Sequence, residues 1–247
     1  MISTQGYYWQ RFYVMTSEST PSSNSTALKS RSDLTRTSIM YAAEKLFAKH
    51  GIENVSVRAI TKEAGQKNES ALQYHFKNRQ GLIDAINLFR QSQVDIKRGE
   101  LLRVLLQRTA NPTFREICSL LVEPLFLLAK TDAGIRQWLR AFSQHYASST
   151  SAAIKRNWSG LGSNSQEIAK MLHAQLNHLN TVVVDLRLLN AMRLIALSLS
   201  QQAREKNAFR EAGSDLFYHV LLDGITASLS ADISEETRQA AAATEKP

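Results

Sequence analysis

One cysteine, Cys118, in a chain of 247 residues excludes an internal disulfide and fits a reducing compartment. It lies in an apolar run with Ile117, Leu120 and Leu121, which predicts a buried structural thiol, with a reactive thiol as the other reading. Glycine (10) and proline (4) are scarce as well, where average usage would supply roughly 17 and 12. So few turn formers predict few turns and long helices. No stretch approaches the roughly 18 consecutive apolar residues of a membrane span, so no membrane partner is expected. Catalytic signatures are missing too: no GxSxG, no Walker loop and no GxGxxG. His173 and His178 stand five apart rather than four, which takes them off a shared helix face, and no acidic cluster suggests a metal. Cys118 has no histidine or basic residue adjacent to it. Together these absences predict a protein that is not an enzyme and carries neither cofactor nor metal.

Hydrophobic residues, at 43%, suffice for a sizeable core. The formal net charge is +8 and the pI about 9.7. That excess favours a polyanionic partner, nucleic acid or an anionic surface, over the bland reading of a solvated basic face.

Residues 1–33 read as a disordered tail, rich in Ser and Thr from Thr16 to Ser32. Its first part clusters Tyr7, Tyr8, Trp9, Phe12 and Tyr13, which is not the pattern of a signal peptide. A translation start at Met15 would remove that segment. From Leu34 the period becomes helical. Ile39, Ala42, Ala43, Leu46, Phe47 and His50 make one face of a first helix, and Gly51 stops it. Ser56 is a natural N-cap for a short second helix with Val57, Ile60 and Ala64 inward, ended by Gly65. A third helix runs from about Asn68 or Ser70 to Phe76. Asn78 then caps a long fourth with Leu82, Ile83, Ile86 and Phe89 on its core side. At least five more helices follow. One starts after Pro112 and should kink at Pro124. Others carry Ile135–Tyr146, Ile168–Leu179, Val184–Lys206 and Asp215–Leu229, and the end past Glu235 reads as frayed. The β-branched run Thr181–Val184 is too short to support a sheet. This predicts an all-α fold of about nine helices. The expected domains are a helix-turn-helix unit over 34–80, a helical body over 81–232 and a tail over 233–247.

Short helices joined by a tight glycine turn are the layout of a helix-turn-helix, whose later helix enters the DNA major groove. Residues 31–98 hold 12 Lys and Arg against 7 Asp and Glu, so over half of the chain's excess charge sits there. Ser56, Val57 and Arg58 open a helix, where N–H groups and the Arg charge can hold a phosphate. Asn68 can read adenine and Lys67 guanine or phosphate, with simple N-capping the competing role for Asn68 and Ser70. Gln73 can reach a base edge. Tyr74 and His75 can donate to backbone oxygens or stack on the core. Lys77 and Arg79 flank a helix N-terminus, where the dipole does not favour a cation and a phosphate partner explains one better.

The stretch "AAEKLFAKHGIENVSVRAITKEAGQKNESALQYHFKNRQGLIDAI" (Ala42–Ile86) resembles the N-terminal domain of the TetR family. "AAEKLFAKHG", "VSVRAIT", "EAG", "YHF" and "NRQGLI" carry the resemblance in order. "QKNESALQYHF" is one residue longer than the common spelling and is similar to a subset written AGQ-basic-N-x-S-A. Gln73 stands where the common pattern has an aromatic, and Arg79 where it has Lys. The resemblance implies a cytoplasmic homodimeric regulator of transcription, associated with the nucleoid when bound. It would act as a repressor on a palindromic operator in double-stranded DNA and be relieved by an unidentified small-molecule effector. It also implies a helical ligand-binding body dimerising through its last two helices. Met192, Ile195, Leu199, Phe217, Leu221 and Ile225 are the interface candidates, with plain internal core as the alternative. Phe126, Trp138, Phe142, His145 and Trp158 are the pocket candidates, against ordinary packing. Two other functions stay open: a helical interaction module that has lost specific DNA recognition, and a basic protein that binds membranes through its aromatic tail.

Overall fold

The computed structural model describes residues 23–148, 162–210 and 212–244. Its regular structure is helical throughout. In order these are α1 (Ser23–His50), α2 (Val57–Glu63), α3 (Ser70–Phe76), α4 (Arg79–Arg108), α5 (Phe114–Thr131), α6 (Ala133–Ser148), α7 (Ser163–Gln175), α8 (Thr181–Gln202), α9 (Ala212–Ser230) and α10 (Glu235–Ala243). The chain divides into two compact units, Met1–Leu88 and Phe89–Pro247. That division lies inside α4, past the boundary at residue 80 expected from the pattern.

In the first unit, Ile39, Ala42, Ala43 and Phe47 of α1 are buried, as their spacing requires. The helix begins at Ser23 rather than near Leu34, so the expected tail was drawn too long. Ser and Thr are poor helix formers, but no Gly or Pro lies between Ser23 and Leu34 to halt propagation. The aromatic cluster and Met15 fall outside the described residues. At Gly51 the chain turns with φ +82, and its N–H bonds Phe47 O at 2.9 Å. Ser56 Oγ accepts from Ala59 N–H at 3.2 Å and caps α2. Gly65, at φ +68, closes α2 in a Schellman motif: its N–H bonds Lys62 O at 3.1 Å, and Gln66 N–H bonds Thr61 O at 2.8 Å. Lys45–Glu63 (2.6 Å) and Ser38 Oγ–Ala64 O (3.1 Å) fasten α2 to α1.

In the second unit, Thr113 and Glu116 form a capping box that starts α5. Pro124 lies inside this helix and has no N–H, so the carbonyl four residues back, that of Leu120, loses its helical donor. A side chain replaces it. Arg98 of α4, 6% exposed, donates Nε to Leu120 O at 3.3 Å and a terminal nitrogen to Ser165 Oγ at 2.9 Å. Ser165 in turn donates Oγ (2.5 Å) and N–H (2.8 Å) to Asp95, which also accepts from Asn164 Nδ2 at 3.1 Å. Polar pairing thus joins α4, α5 and α7. Around it α5 packs on α6, α7, α8 and α9, and α8 packs on α6 and α9. Ile117, Leu125, Ile135, Leu172 and Leu188 are among the buried residues of this core.

This packing takes up most of the candidate dimer residues. Ile195, Leu199, Leu221 and Ile225 are buried in the unit's own core, and Met192 and Phe217 lie partly buried against it. Helix α8 is apolar on two sides, so spacing alone did not say which side turns inward. The exposed apolar residues are Val182, Leu186, Leu194 and Leu197 on α8 and Leu216 and Val220 on α9. The β-branched run Thr181–Val184 is the first turn of α8, capped by Asn180, whose Oδ1 accepts from Val182 N–H at 2.8 Å. The expected frayed end is a further correction. Ser234 Oγ accepts from Thr237 N–H at 3.2 Å, Glu235 and Glu236 fill the first turn, and an alanine run carries α10 to Ala243.

Cys118 is fully buried, and burial pushes its thiol up to about 11 against a Thr226 hydrogen bond that lowers it. Burial and the neighbouring Glu123 charge push Tyr218 up to about 12. Both groups are neutral when folded, and both favour the fold below their ordinary values. That contribution is lost as pH rises through about 11 for the thiol and about 12 for the phenol. Thermal midpoints should hold to about pH 9 and then fall. A thiol reagent at pH 8 should label Cys118 only in denaturant; rapid labelling of the folded chain would contradict its burial.

Candidate nucleic-acid interface

Helix α3 has two faces, set by its spacing. Leu72 and Phe76, one turn apart, are buried against the first unit's core, and each contributes about 1.5–3 kcal/mol by burial. Ser70, Gln73 and Tyr74 repeat at three and four on the exposed side, with Tyr74 80% exposed, and Lys77 follows, exposed, just past the helix. Lys67 and Asn68 precede them and are also exposed. Neither capping role expected for Asn68 or Ser70 is taken. Glu69 holds the N-cap position, no side chain bonds the helix start, and Ser70 Oγ donates to Asn68 Oδ1.

The far end of α3 is a tight turn. Phe76 O accepts from Asn78 N–H at 2.8 Å, with Lys77 between them at φ +65, ψ −48. This is a γ-turn of the rarer, strained hand. Asn78 Oδ1 then accepts from Gly81 N–H at 2.8 Å and caps α4, as its position in the sequence suggested. Gly81 lies against Phe76 O so closely that a Cβ there would overlap the oxygen. The sequence reading missed Gly81 as a determinant of the site. The signal was present: a glycine in a helix's first turn, where it costs stability, needs a close backbone approach to explain it.

Two expected contacts are turned elsewhere. Arg79 donates to Ile52 O, lies 3.9 Å from Glu53 Oε2 and places its guanidinium 5.9 Å from the Phe47 ring centre. It holds the 3-10 turn Ile52–Asn54 against α1, which accounts for a cation at this helix start without a phosphate. His75 is partly buried and faces Arg36 and Asp33 of α1. Burial, then Arg36, pushes its imidazole below the usual range while Asp33 opposes, which disfavours the charged form. Arg58, exposed at the start of α2 beside Ser56 and Val57, remains on the open side with Lys62. Of the 12 cations counted over 31–98, Arg90 and Arg98 are buried in the second unit.

Residues 39–86 match the family model described as bacterial regulatory proteins, tetR family. This segment is similar to the helix-turn-helix domain of that family. The match supports a DNA-binding regulator of transcription and coincides with the α1–α4 arrangement above. Among curated proteins, none matches the chain.

Three of the pocket candidates lie in or against the core. Phe126 is buried, stacked 4.9 Å from Tyr218 and edge-on to Phe209 at 5.8 Å, with Lys130 Nζ 4.7 Å from its ring centre. Phe142 is buried and Trp138 partly so. His145 lies on α6, and Trp158 falls outside the described residues. No described helix is long and apolar enough to cross a membrane. Among the described residues no three His, Cys, Asp or Glu gather as metal ligands.

Proposed function

We propose that this protein is a sequence-specific DNA-binding regulator of transcription, a cytoplasmic homodimer acting as a repressor on a palindromic operator and released by a small molecule. The observation that carries the reading is the exposed face of α3, Ser70, Gln73 and Tyr74, with Lys77 just past it, within the segment that matches the tetR family. Gln73 and Asn68 read base edges, and Lys67, Lys77, Arg58 and the Ser56–Val57 turn contact phosphates. Repression and ligand relief rest on the family match. Relief is a population shift toward a recognition-helix spacing that no longer matches one DNA turn, about 34–36 Å. The test is a titration at physiological salt against DNA from upstream of the gene and against a shuffled copy. Preference for the upstream DNA supports the reading; equal affinity for every sequence in a random-DNA selection refutes it.

Lys77 gives a prediction with two signs. Lys77→Gly should raise the thermal midpoint, because it relieves roughly 1 kcal/mol of backbone strain. It should also weaken all DNA alike and lower the salt slope by about 1. Gln73→Ala should instead reduce discrimination at one position by about 1–3 kcal/mol.

The dimer reading rests on five of the exposed apolar residues of α8 and α9, Leu186, Leu194, Leu197, Leu216 and Val220, around the exposed Gly224. An open apolar face of this kind marks an interaction surface. The double variant Leu194→Glu/Val220→Glu should sediment as a monomer and lose operator affinity on the order of 100-fold. A variant that remains dimeric would place the interface elsewhere.

A further inference from the structure

We propose that Arg136 and Arg140 of α6, with Arg204 and Arg210 of the α8–α9 turn, form a binding site for a small polyanion carrying phosphate or carboxylate groups. The inference uses the second unit alone and does not rest on the DNA-binding reading.

Arg136 and Arg140 stand one helical turn apart on α6. Arg136 donates to Ala129 O at 2.6 Å, Arg140 Nε to Arg136 O at 3.3 Å, and Arg204 to Arg140 O at 3.2 Å. Neutral carbonyls thus orient three guanidinium groups without cancelling their charge, and each of these bonds uses one of five N–H donors. Among the described residues the carboxylate acting on Arg136 is Asp132, which already holds Arg90 at 3.1 Å and the Gly134 N–H at 2.7 Å. Glu205, beside Arg204, is exposed and accepts from Gln201 at 3.4 Å. Burial, Arg210 and Arg140 all press Arg136 below its ordinary range, with Asp132 opposing, so the cluster repels itself as it stands.

The turn that supplies the other two arginines is anchored. Asn207 and Phe209 have φ of +61 and +65, and a bulky side chain rarely adopts that region. Phe209 is held there by its buried ring against Phe126, while Ala203 and Ala208 are buried beside it. Such strain persists only where the surroundings over-determine it. A separate observation points the same way. Ser143 lies on the Arg136–Arg140 face of α6 by register and is 4% exposed, and its Oγ has no hydrogen-bond partner. A buried hydroxyl left so calls for an explanation, and a group bound on this face would supply one. Guanidinium forks match phosphate and carboxylate oxygens in pairs, and four of them call for a ligand with more than one negative charge.

The test is calorimetry on the full chain, titrated separately with pyrophosphate and with citrate at a fixed NaCl concentration of about 150 mM. Saturable binding is expected, with the tighter of the two naming the phosphate or the carboxylate class. Arg204→Ser/Arg210→Ser changes two exposed residues and should keep its thermal midpoint. It should weaken the binding at least about 10-fold. Lys67→Ala/Lys77→Ala, in the other unit, should leave the binding unchanged. No saturable heat with either probe, equal binding by the Arg204/Arg210 variant, or loss in the Lys67/Lys77 variant would each overturn the site.

Discussion

Arg98→Met is expected to cost about 3 kcal/mol of stability, read from the urea midpoint of the second unit. The substitution keeps most of the apolar stem and removes the donors. Leu120 O then has neither a helical N–H, because Pro124 lacks one, nor the guanidinium that stands in for it at 3.3 Å. Ser165 Oγ loses a donor at 2.9 Å in the same step. Each buried acceptor left unpaired costs about 1–3 kcal/mol. A double-mutant cycle isolates the cause. Pro124→Ala returns an N–H to α5 that can reach Leu120 O. Arg98→Met should therefore cost less in the Pro124→Ala background, by on the order of 1 kcal/mol. Strict additivity of the two substitutions would show that the proline and the arginine are not linked through this carbonyl.

Gly81→Ala should be the most damaging single methyl in the first unit. The new Cβ would overlap Phe76 O, the oxygen that accepts from Asn78 N–H to form the γ-turn at Lys77. Moving that oxygen breaks the turn, withdraws Asn78 from the start of α4 and releases Phe76 from its buried place. A cost of about 3 kcal/mol or more is expected from a backbone clash in a position this closed. The spectroscopic signature should be loss of protection over α2 and α3 in hydrogen exchange, with the amides of α5 and α8 unchanged. DNA binding should vanish with it. Full protection of α3 in Gly81→Ala would mean that the turn can open at little cost.

Local patterns carried much of this architecture. The α1 core face, the Ser56 and Asn78 caps, the stops at Gly51 and Gly65 and the start of α5 after Pro112 depend on contacts within a few residues, and such contacts can be read from a string. The helix-turn-helix was legible for the same reason: Leu72 and Phe76 must face inward, which sends Ser70, Gln73, Tyr74 and Lys77 outward. The start of α1 and the existence of α10 were misread because composition averages over segments, whereas one cap or the lack of a breaker decides a helix.

Other choices were tertiary. Arg79 and His75 sit on a DNA-reading segment, yet Ile52, Glu53 and Phe47 claim the first and the Arg36 side of α1 receives the second. Nothing in a linear spacing distinguishes a cation that meets a phosphate from one that meets a carbonyl 27 residues away. On α8 and α9 the apolar periodicity fits two opposite faces. Only packing against α5 and α6 determined that Ile195, Leu199, Leu221 and Ile225 turn inward while Leu194 and Val220 remain outside. The sequence by itself determined that this chain would be helical, with a helix-turn-helix near its start. Which polar groups pair with each other and which apolar faces stay open was decided by the tertiary structure, because both depend on partners that come together only when distant segments close on one another.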